Sequence, residues 1–371
     1  MDCSKVEQIF HLTVDMNVSS WRAARDLEER PVYLVVIETI VLGLIFLASI
    51  IGNIFSCFIM HTSPRLRTWH NLLLLNVIVV DLLATLFCVP FGIVVLITGR
   101  WIGGDPLCSF VAFISCVLLT VSIVTLATIS ISRYFLITNL LKYMSVFKKK
   151  NIAWMLVAIW TLALLSAFPP LVGGGDLIFL PGNAICFVYF GSSLPYAAVF
   201  TLLVIGLPVV VIIACFVKVR HLIKVNKRMR SLPSRVISIA SEEIDSAKTL
   251  FSVVVMVLLC WFPMLLFFLL AAGGIEMPRQ ASLMATYAIF LPCALKPVIY
   301  FCMKKQFRAG FLVLLSKLVP GLQKRRRRNR VGHTSVKVIR GERNQFYSRN
   351  GRCDQFNLKQ ESREFESTRK I

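Results

Sequence analysis

Charged side chains that fall inside long apolar runs are the residues of this chain best placed to do chemistry. Glu38, Asp81 and Lys296 each lie within such a run, and Arg133 lies near the end of another. An ionised group is costly inside hydrocarbon, so it must be paired, neutralised or turned toward a polar cavity. Lys296 therefore requires a partner inside the protein, or its amine must reach water at the membrane surface.

Helix-breaking and polar residues recur in the same apolar runs. A proline inside a helix removes one backbone hydrogen bond and bends the axis. Pro263 comes two residues after Trp261, and Pro297 comes three residues before Tyr300. Both segments are therefore predicted to bend beside an aromatic side chain. The other positions of this kind are Gly52-Asn53, Pro90, Ser132-Arg133-Tyr134, Trp160, Pro169-Pro170 and Pro208.

The residue patterns of an enzyme or a metal site are missing from the sequence. The 11 cysteines show neither paired CxxC spacing nor Cys/His spacing, so no metal and no cofactor is expected. No intramembrane His/Glu motif, Ser/Lys dyad or carboxylate pair is present, which argues against an enzyme. A transporter stays an alternative, although it would show repeats or several carboxylates along a pathway.

Seven long apolar runs must position these residues. Hydrophobic residues make up 57% of the 371 and charged residues 16%, and the mean hydropathy of +0.73 is that of a membrane protein. A spanning helix needs about 20 mostly apolar residues. The sequence predicts an all-α, seven-transmembrane helix bundle with spans at 32–60, 72–98, 107–134, 152–172, 194–219, 249–272 and 282–303.

The distribution of charge predicts how the bundle is oriented. Of the net charge of +22, most lies in segments on one side, which favours an outside N-terminus and an inside C-terminus. The basic residues follow apolar runs and form no folded patch, so no nucleic-acid partner is expected. We predict an outer N-terminus at 1–31 with a glycosylation sequon at Asn17, the bundle at 32–303, an amphipathic juxtamembrane eighth helix at 304–319 and a basic disordered tail at 320–371.

Together these residues resemble the rhodopsin-like family of G-protein-coupled receptors, over about residues 32–310. The resemblance implies a multi-pass plasma-membrane receptor that signals to heterotrimeric G proteins. It also implies a disulfide between Cys108 and Cys186, which ties the second outer loop to the third span. The residues that it assigns to the activation switch are Asn53, Asp81, Ser122, Ser132, Arg133, Tyr134, Glu243, Trp261, Pro263, Lys296, Pro297 and Tyr300.

The implied switch has a ligand-sensing end and a G-protein end. Pro263 would be a hinge beneath Trp261, which senses the ligand. Arg133 would be held near the inner end of the third span and released on activation, when Tyr300 moves inward and a cytoplasmic pocket opens. The switch is then a two-state equilibrium that ligand and G protein both shift.

Ser132 departs from the family pattern. The family usually has Asp or Glu at this position, next to Arg133, so the acidic neighbour that restrains the arginine is absent. Glu243 matches a family position at the start of the sixth span that can pair with this arginine. Our hypothesis is that basal activity is raised and that Glu243 is the remaining restraint.

Lys296 is the second departure, because the family usually has Asn or Asp at this position. In the family this position and Asp81 line one interior cavity, commonly with a sodium ion and the serine that matches Ser122. Our hypothesis is that Lys296 pairs with Asp81 and replaces the ion, so that sodium has no allosteric effect. Two alternatives stay open: an amine directed to inner-side water, and a seven-helix retinal protein that uses Lys296 with Asp81 as counter-ion.

The outer half of the bundle is where the resemblance implies a ligand pocket. Ser115 stands where amine receptors use Asp, which disfavours a monoamine, and Phe290 stands where opsins attach retinal. The other pocket candidates are mostly apolar, which favours a small lipophilic or indole-like ligand over a highly charged one. A partial likeness to opsins and melatonin receptors, the latter in Leu141-Lys142-Tyr143 of the second inner loop, concerns the G-protein side. The predicted pocket residues are Ser115, Cys116, Leu119, Phe187, Val204, Trp261, Leu265 and Phe290.

Basic and apolar side chains on the inner side are predicted to meet the G protein, with a mild preference for inhibitory coupling. They suit an acidic, amphipathic G-protein terminus that inserts into a groove. Tail serines and threonines are candidates for phosphorylation, so arrestin and a receptor kinase are further partners, and the basic run would attract anionic lipids. The predicted contacts are Arg133, Leu141, Lys142, Arg220, Lys224 and Lys248.

Overall fold

The computed structural model describes most of the bundle and little of the two ends of the chain. The described residues are 18–63, 66, 71–189, 192–226, 248–249, 251–264, 266, 270, 277–304 and 307–311. Four predictions therefore fall outside them: the sequon at Asn17, the restraint at Glu243, the pocket position Leu265 and the tail at 320–371.

In the described part of the chain seven apolar helices form the bundle, and the predicted all-α architecture is confirmed. Six of them are long enough to cross a membrane, and a shorter apolar helix stands in the place of the sixth span. In chain order, the first to seventh spans are Val32–Thr62, Leu72–Thr98, Gly104–Thr138, Lys149–Val172, Leu194–His221, Phe251–Met264 and Arg279–Met303. A short helix, Leu140–Val146, lies between the third and fourth spans.

The third span runs through the centre of the bundle and packs against the second, fourth and fifth spans. It carries several hydroxyl groups at membrane depth. Thr120 and Thr125 are fully buried, and each donates to the carbonyl four residues earlier, at 2.8 and 2.6 Å. Since these hydroxyls are satisfied within their own helix, they cost little inside the bundle.

Two spans depart from a regular α-helix at a proline. In the second span the helix breaks at Cys88, where Leu72–Phe87 ends and Val89–Thr98 begins with Pro90 near its first turn. The fifth span contains a π-helical segment, Phe200–Gly206, just before Pro208. Proline has no N–H to continue the hydrogen-bond ladder, and a π turn is one way in which a helix adapts to that gap.

A two-stranded hairpin covers one end of the bundle, and sequence analysis did not predict it. Strand β1, Asp176–Leu180, pairs antiparallel with strand β2, Ile185–Tyr189. Cys186 of β2 forms the predicted disulfide with Cys108 of the third span, with 5.3 Å between their Cα atoms. We call this disulfide-bearing end the outer end.

An N-terminal helix, Val18–Glu28, also lies at the outer end and was not predicted. It contacts the Pro181–Asn183 turn between the two strands and the seventh span. Leu27, near its end, is 1% exposed and belongs to an apolar cluster with Leu42 and Leu96 of the first two spans. The N-terminal helix Val18–Glu28 is therefore packed onto the outer end, as the predicted orientation requires.

At the opposite, inner end the seventh span leads into a short helical stretch. Residues 307–311 are helical, which covers part of the predicted juxtamembrane helix at 304–319. Phe307 is 1% exposed and its ring centroid lies 5.7 Å from that of Tyr300. Phe311 packs in the same way between Phe55 and Phe301, with ring centroids 5.1 Å apart in both pairs. The aromatic side of this stretch is thus buried against the bundle.

Candidate functional site

Asp81 and Lys296 form an ion pair in the interior of the bundle, and this confirms the predicted pairing. Lys296 Nζ lies 2.7 Å from Asp81 Oδ1 and 3.3 Å from the hydroxyl of Ser122. Both charged residues are 2% exposed. The alternative in which the amine of Lys296 reaches inner-side water is wrong, because three spans enclose its head group.

A polar contact between the first and seventh spans lies next to this pair. The amide of Asn53 donates to the Cys293 carbonyl at 2.8 Å and to the Ser49 carbonyl at 2.9 Å. The sulfur of Cys293 lies 3.6 Å from Asp81 Oδ1. Asn53 therefore holds the first span against the seventh, directly beside the ion pair.

Gly52 explains how the first and seventh spans approach so closely. A Cβ added at Gly52 would lie 2.9 Å from the Cβ of Pro297. Such a contact is shorter than real Cβ atoms tolerate, so only glycine fits here without a shift. Gly52 and Pro297 thus form a tight contact between the first and seventh spans.

A cavity of about 110 Å³ extends from the outer hairpin to the ion pair. Ile185 and Phe187 of strand β2 line its outer end, and Asp81, Ser122 and Lys296 line its floor. The walls between are mostly apolar. They consist of Val80, Ala84, Cys88, Ser115, Leu118, Leu119, Phe200, Ile205, Val257, Trp261, Met264, Ile289, Phe290, Pro292 and Cys293.

Five of the predicted pocket residues line this cavity: Ser115, Leu119, Phe187, Trp261 and Phe290. Cys116 does not, and its prediction is wrong. It is fully buried in a cluster that includes Ile159 and Ala163 of the fourth span. Along the third span the cavity is lined at helical spacing by Ser115, Leu118, Leu119 and Ser122, and Cys116 lies on a different side of that helix.

The prediction of Val204 as a pocket residue is also wrong. Val204 is 6% exposed and packs in a cluster with Ile123 and Phe200. The fifth span presents Phe200 and Ile205 to the cavity, five residues apart, because the π-helical segment changes the spacing of the inward face. The prediction of Val204 rested on its place four residues before Pro208, which the resemblance matches to a pocket position, and it did not allow for this segment.

The cavity also contains residues that sequence analysis did not name, among them Val257, Ile289 and Cys293. Helical spacing was the signal that could have found them. Val257 precedes Trp261 by one turn, and Ile289, Cys293 and Lys296 follow one face of the seventh span. Ile185 gave no such signal, because the hairpin that carries it was not predicted.

Arg133 lines a second, smaller cavity of about 30 Å³ at the inner end, between the third, fifth and sixth spans. Ser130, Phe216 and Phe251 are among its neighbours there. The hydroxyl of Ser132 donates to the Ile129 carbonyl at 2.8 Å. The hydroxyl of Ser132 is thus bonded within its own helix, and Ser132 brings no charge next to Arg133.

The other predicted switch and contact residues lie around this inner end. Tyr300 is fully buried, and the Tyr134 ring lies 5.7 Å from the amine of Lys218. Pro263 is the exception, because it follows Trp261 on the outer side and so lies at the level of the ligand cavity. The predicted G-protein contacts are distributed among loop and helix ends: Leu141 is 82% exposed, Lys142 lies over Phe135, Arg220 lies over Phe216, and Lys224 and Lys248 belong to the fifth and sixth helices.

A second group of buried charges lies at the outer end. Arg279 contacts Glu38 through both ends of its guanidinium, with nitrogen–oxygen distances of 2.5 and 3.1 Å. Arg30 Nε lies 3.2 Å from the same carboxylate. All three side chains are buried, at 7% exposure or less. We call Arg30, Glu38 and Arg279 the outer cluster.

Arg30 carries the excess positive charge of the outer cluster. It donates to the carbonyls of Leu27 and Leu96, which lie in the last turns of the N-terminal helix and of Val89–Thr98. Helix C-termini have unpaired carbonyls and a partial negative charge, so they stabilise a cation. Burial lowers the pKa of Arg30, while the neighbouring Glu38 opposes that shift. Sequence analysis noted Glu38 but not these two partners.

Comparisons with known proteins agree with this architecture. A family profile described as "7 transmembrane receptor (rhodopsin family)" matches residues 52–300. The RYamide receptor of Drosophila melanogaster is 29% identical over 296 residues, which cover 76% of this chain and 63% of that protein. The alpha-1D adrenergic receptor of Homo sapiens is 27% identical over 335 residues, which cover 78% and 57%.

The fold is also similar to a solved structure. The crystal structure of squid rhodopsin matches with a TM-score of 0.71 at 20% identity, over 83% of this chain and 90% of that one. This likeness concerns the fold alone. The chain spans less than two thirds of the length of the RYamide and alpha-1D adrenergic proteins that it matches.

Proposed function

Because the chain belongs to the rhodopsin family of seven-transmembrane receptors, we propose that it transduces a small lipophilic or indole-like ligand from outside the cell to heterotrimeric G proteins. Members of this family are multi-pass plasma-membrane signalling receptors, and we propose no enzymatic activity for this chain. The observation that carries the proposal is the apolar cavity that connects the outer hairpin to the Asp81–Lys296 pair.

The lining of the cavity favours a neutral ligand over an amine. Ser115 lies at the upper part of the cavity, and its hydroxyl donates to the Val111 carbonyl. Among the lining residues, Asp81 is the one carboxylate, and Lys296 already neutralises it. An ammonium ligand would therefore lack a counter-ion. The relatives include an RYamide receptor and an alpha-1D adrenergic receptor. The small cavity of this chain argues against a peptide inside the bundle.

Signal transfer in this proposal runs from Trp261 to Arg133. Trp261 lines the ligand cavity, and Arg133 lines the inner cavity between the third, fifth and sixth spans. Pro263 would let the inner end of the sixth span swing outward, while Tyr300 moves toward the space that it leaves. Opening the inner cavity would admit the G protein to the basic and apolar side chains there.

The resting state of this switch is proposed to be weakly held. Ser132 supplies no carboxylate to Arg133, and its hydroxyl is bonded to Ile129. Glu243 is the proposed remaining restraint, and it lies outside the described residues. Replacing Glu243 by Ala should raise ligand-free signalling; unchanged basal signalling would remove Glu243 from this role.

Further partners follow from the proposed receptor function. Inhibitory G proteins are the preferred class, on the partial likeness to opsins and melatonin receptors. Arrestin and a receptor kinase are proposed for the serines and threonines of the tail at 320–371, anionic lipids for its basic run, and a glycan for Asn17.

Ligand-free G-protein dissociation in cells tests the proposal. Wild type, Arg133→Ala and Lys296→Asn are compared at matched surface expression across the main G-protein classes. We expect a basal signal that Arg133→Ala abolishes, and the class that responds identifies the coupling. The control is Arg100→Ala, which removes an exposed arginine at the outer end. A basal signal that survives Arg133→Ala would contradict the proposed switch.

One observation favours a second candidate function. The amine of Lys296 lines the apolar cavity with a carboxylate beside it, which is the arrangement that a retinal Schiff base with a counter-ion requires. Purified protein incubated with retinal should then show a visible absorption band that hydroxylamine removes. If no band forms, or if Lys296→Met keeps the band, this second candidate is eliminated.

A further inference from the structure

The floor of the cavity has polar atoms whose hydrogen-bonding capacity is not used. Asp81 Oδ1 accepts from Lys296, whereas Asp81 Oδ2 is buried and has no hydrogen-bond partner among the described residues. Lys296 directs N–H groups to Asp81 and Ser122. An ammonium has three N–H groups, so the described part of the chain leaves one of them without an acceptor.

Unused capacity of this kind is expensive at this depth. A buried polar atom without a partner costs free energy comparable to a lost hydrogen bond, and more when the atom belongs to a charged group. Asp81 is 2% exposed, so bulk water does not satisfy its second oxygen. Because both residues line the cavity, an occupant of the cavity reaches the pair directly.

The charges decide what chemical group fits. Asp81 and Lys296 together are neutral, so an anionic group would meet the carboxylate and a cationic group would meet the ammonium. Either would also lose its hydration without a free counter-ion, which costs several kcal/mol. A neutral group that both donates and accepts would instead satisfy Asp81 Oδ2 and the remaining N–H of Lys296 together.

The walls decide the rest of the molecule. From Ile185 and Phe187 down to Val257 and Phe290 the lining is apolar. Resting on the receptor function proposed above, we infer that the site takes a lipophilic ligand with one hydroxyl group at its buried end. The hydroxyl donates to Asp81 Oδ2 and accepts from Lys296, and the apolar body fills the cavity up to the hairpin.

The test compares four probes that share one apolar body: naphthol, the hydrocarbon naphthalene, the anion naphthoate and the cation naphthylmethylammonium. Saturable binding is measured by equilibrium dialysis on the full chain in lipid nanodiscs, with empty nanodiscs subtracted. Naphthol can form a hydrogen bond to a charged group of the pair and naphthalene cannot, so the difference between their affinities measures that bond. We expect naphthol to bind about tenfold more tightly than naphthalene and than either charged probe.

Replacing the ion pair locates this preference. The double variant Asp81→Leu with Lys296→Met removes both charges and keeps similar volume, an exchange that buried ion pairs often tolerate. It should bind naphthol and naphthalene with nearly equal affinity. The control Thr120→Val removes a buried hydroxyl from the third span that is absent from the cavity lining, and it should keep the tenfold preference.

The outcomes separate this inference from the proposed function. Equal binding of naphthol and naphthalene by wild type would mean that water alone satisfies the floor, and it overturns the inference even if the double variant fails to fold. Tighter binding of a charged probe, no saturable binding of any probe, or a preference that survives in the double variant overturns it as well. The G-protein assay uses no ligand, so it tests the proposed function independently of these binding measurements.

Discussion

Two groups of buried charges lie at different depths of this bundle, and they differ in how completely their carboxylates are satisfied. In the outer cluster both oxygens of Glu38 are engaged by guanidinium groups. In the inner pair, which we define as Asp81 and Lys296, one carboxylate oxygen is engaged and the other has no partner among the described residues.

The difference shows which group holds the fold and which can respond. The outer cluster connects the N-terminal helix, the first two spans and the seventh through Arg30 and Arg279. Its charges are fixed by forked geometry, so any change costs energy. The inner pair borders the ligand cavity and retains unused capacity, so a new partner can be added without breaking an existing contact.

Removing the carboxylate of the outer cluster should have the largest effect on stability. Glu38→Gln leaves two buried guanidinium groups without a counter-ion, and arginine cannot neutralise itself by losing a proton. We expect a loss of about 4 kcal/mol in the free energy of unfolding. Thermal unfolding of the protein in nanodiscs, followed by a thiol-reactive dye, measures the change.

The matched control for this prediction is Glu29→Gln. Glu29 lies next to Arg30 in the chain but is exposed, so its loss should change the unfolding temperature little. If Glu38→Gln and Glu29→Gln unfold at the same temperature, the outer cluster does not stabilise the fold. The proposed difference between the outer cluster and the inner pair would then be wrong.

Breaking the inner pair should cost less. Lys296→Met leaves Asp81 buried and unpaired, but a carboxylate can bind a proton and become neutral, so we expect about 3 kcal/mol. The double variant Asp81→Leu with Lys296→Met should recover most of this loss. The measurement is a double-mutant cycle of thermal unfolding with Asp81→Leu as the fourth member.

Additive effects would contradict this prediction. If the double variant loses as much stability as the sum of both single variants, the two residues act independently. The inner pair would then be two separate charges, each satisfied in another way.

The same comparison shows what the sequence could predict. Asp81 and Lys296 are both charged residues far inside apolar runs, so each requires a partner and the family resemblance places them on one cavity. Arg30 and Arg279 gave no such signal, because each stands at the start of a span beside Pro31 or Pro278, where a charge can reach water. Only tertiary packing buries them.

Local irregularities set the other limit of sequence prediction. Composition and run length predicted seven spans, since hydrocarbon thickness fixes helix length. The described residues contain six helices of spanning length and the shorter helix Phe251–Met264 in the place of the sixth span. The π-helical segment Phe200–Gly206 changes which side chains face inward, and Val204 was misassigned for that reason. The hairpin of β1 and β2 depends on the disulfide and on neighbouring spans, so its sequence alone was not informative.

Replacing the lysine of the inner pair by a neutral polar residue should make the stability of the protein depend on sodium. In wild type the ammonium of Lys296 occupies the place of a cation beside Asp81 and Ser122, so sodium should not change the unfolding temperature. Lys296→Asn frees the carboxylate to bind sodium, and about 100 mM of the salt should stabilise this variant by about 1 kcal/mol. Potassium at equal ionic strength is the control, and a sodium-specific effect in wild type would refute the pairing hypothesis.

The smallest expected losses of stability come from removing one hydroxyl next to the outer cluster and one next to the inner pair. Tyr287→Phe removes a donor to the Glu38 carbonyl at 2.9 Å, and Ser122→Ala removes an acceptor from Lys296 at 3.3 Å. Each should lower the free energy of unfolding by about 1 kcal/mol. Only Ser122→Ala should also change ligand-free G-protein dissociation, because its group borders the cavity that couples to the switch. An equal change in signalling from Tyr287→Phe would show that the outer cluster responds as well as holds, and the distinction between the two groups would be lost.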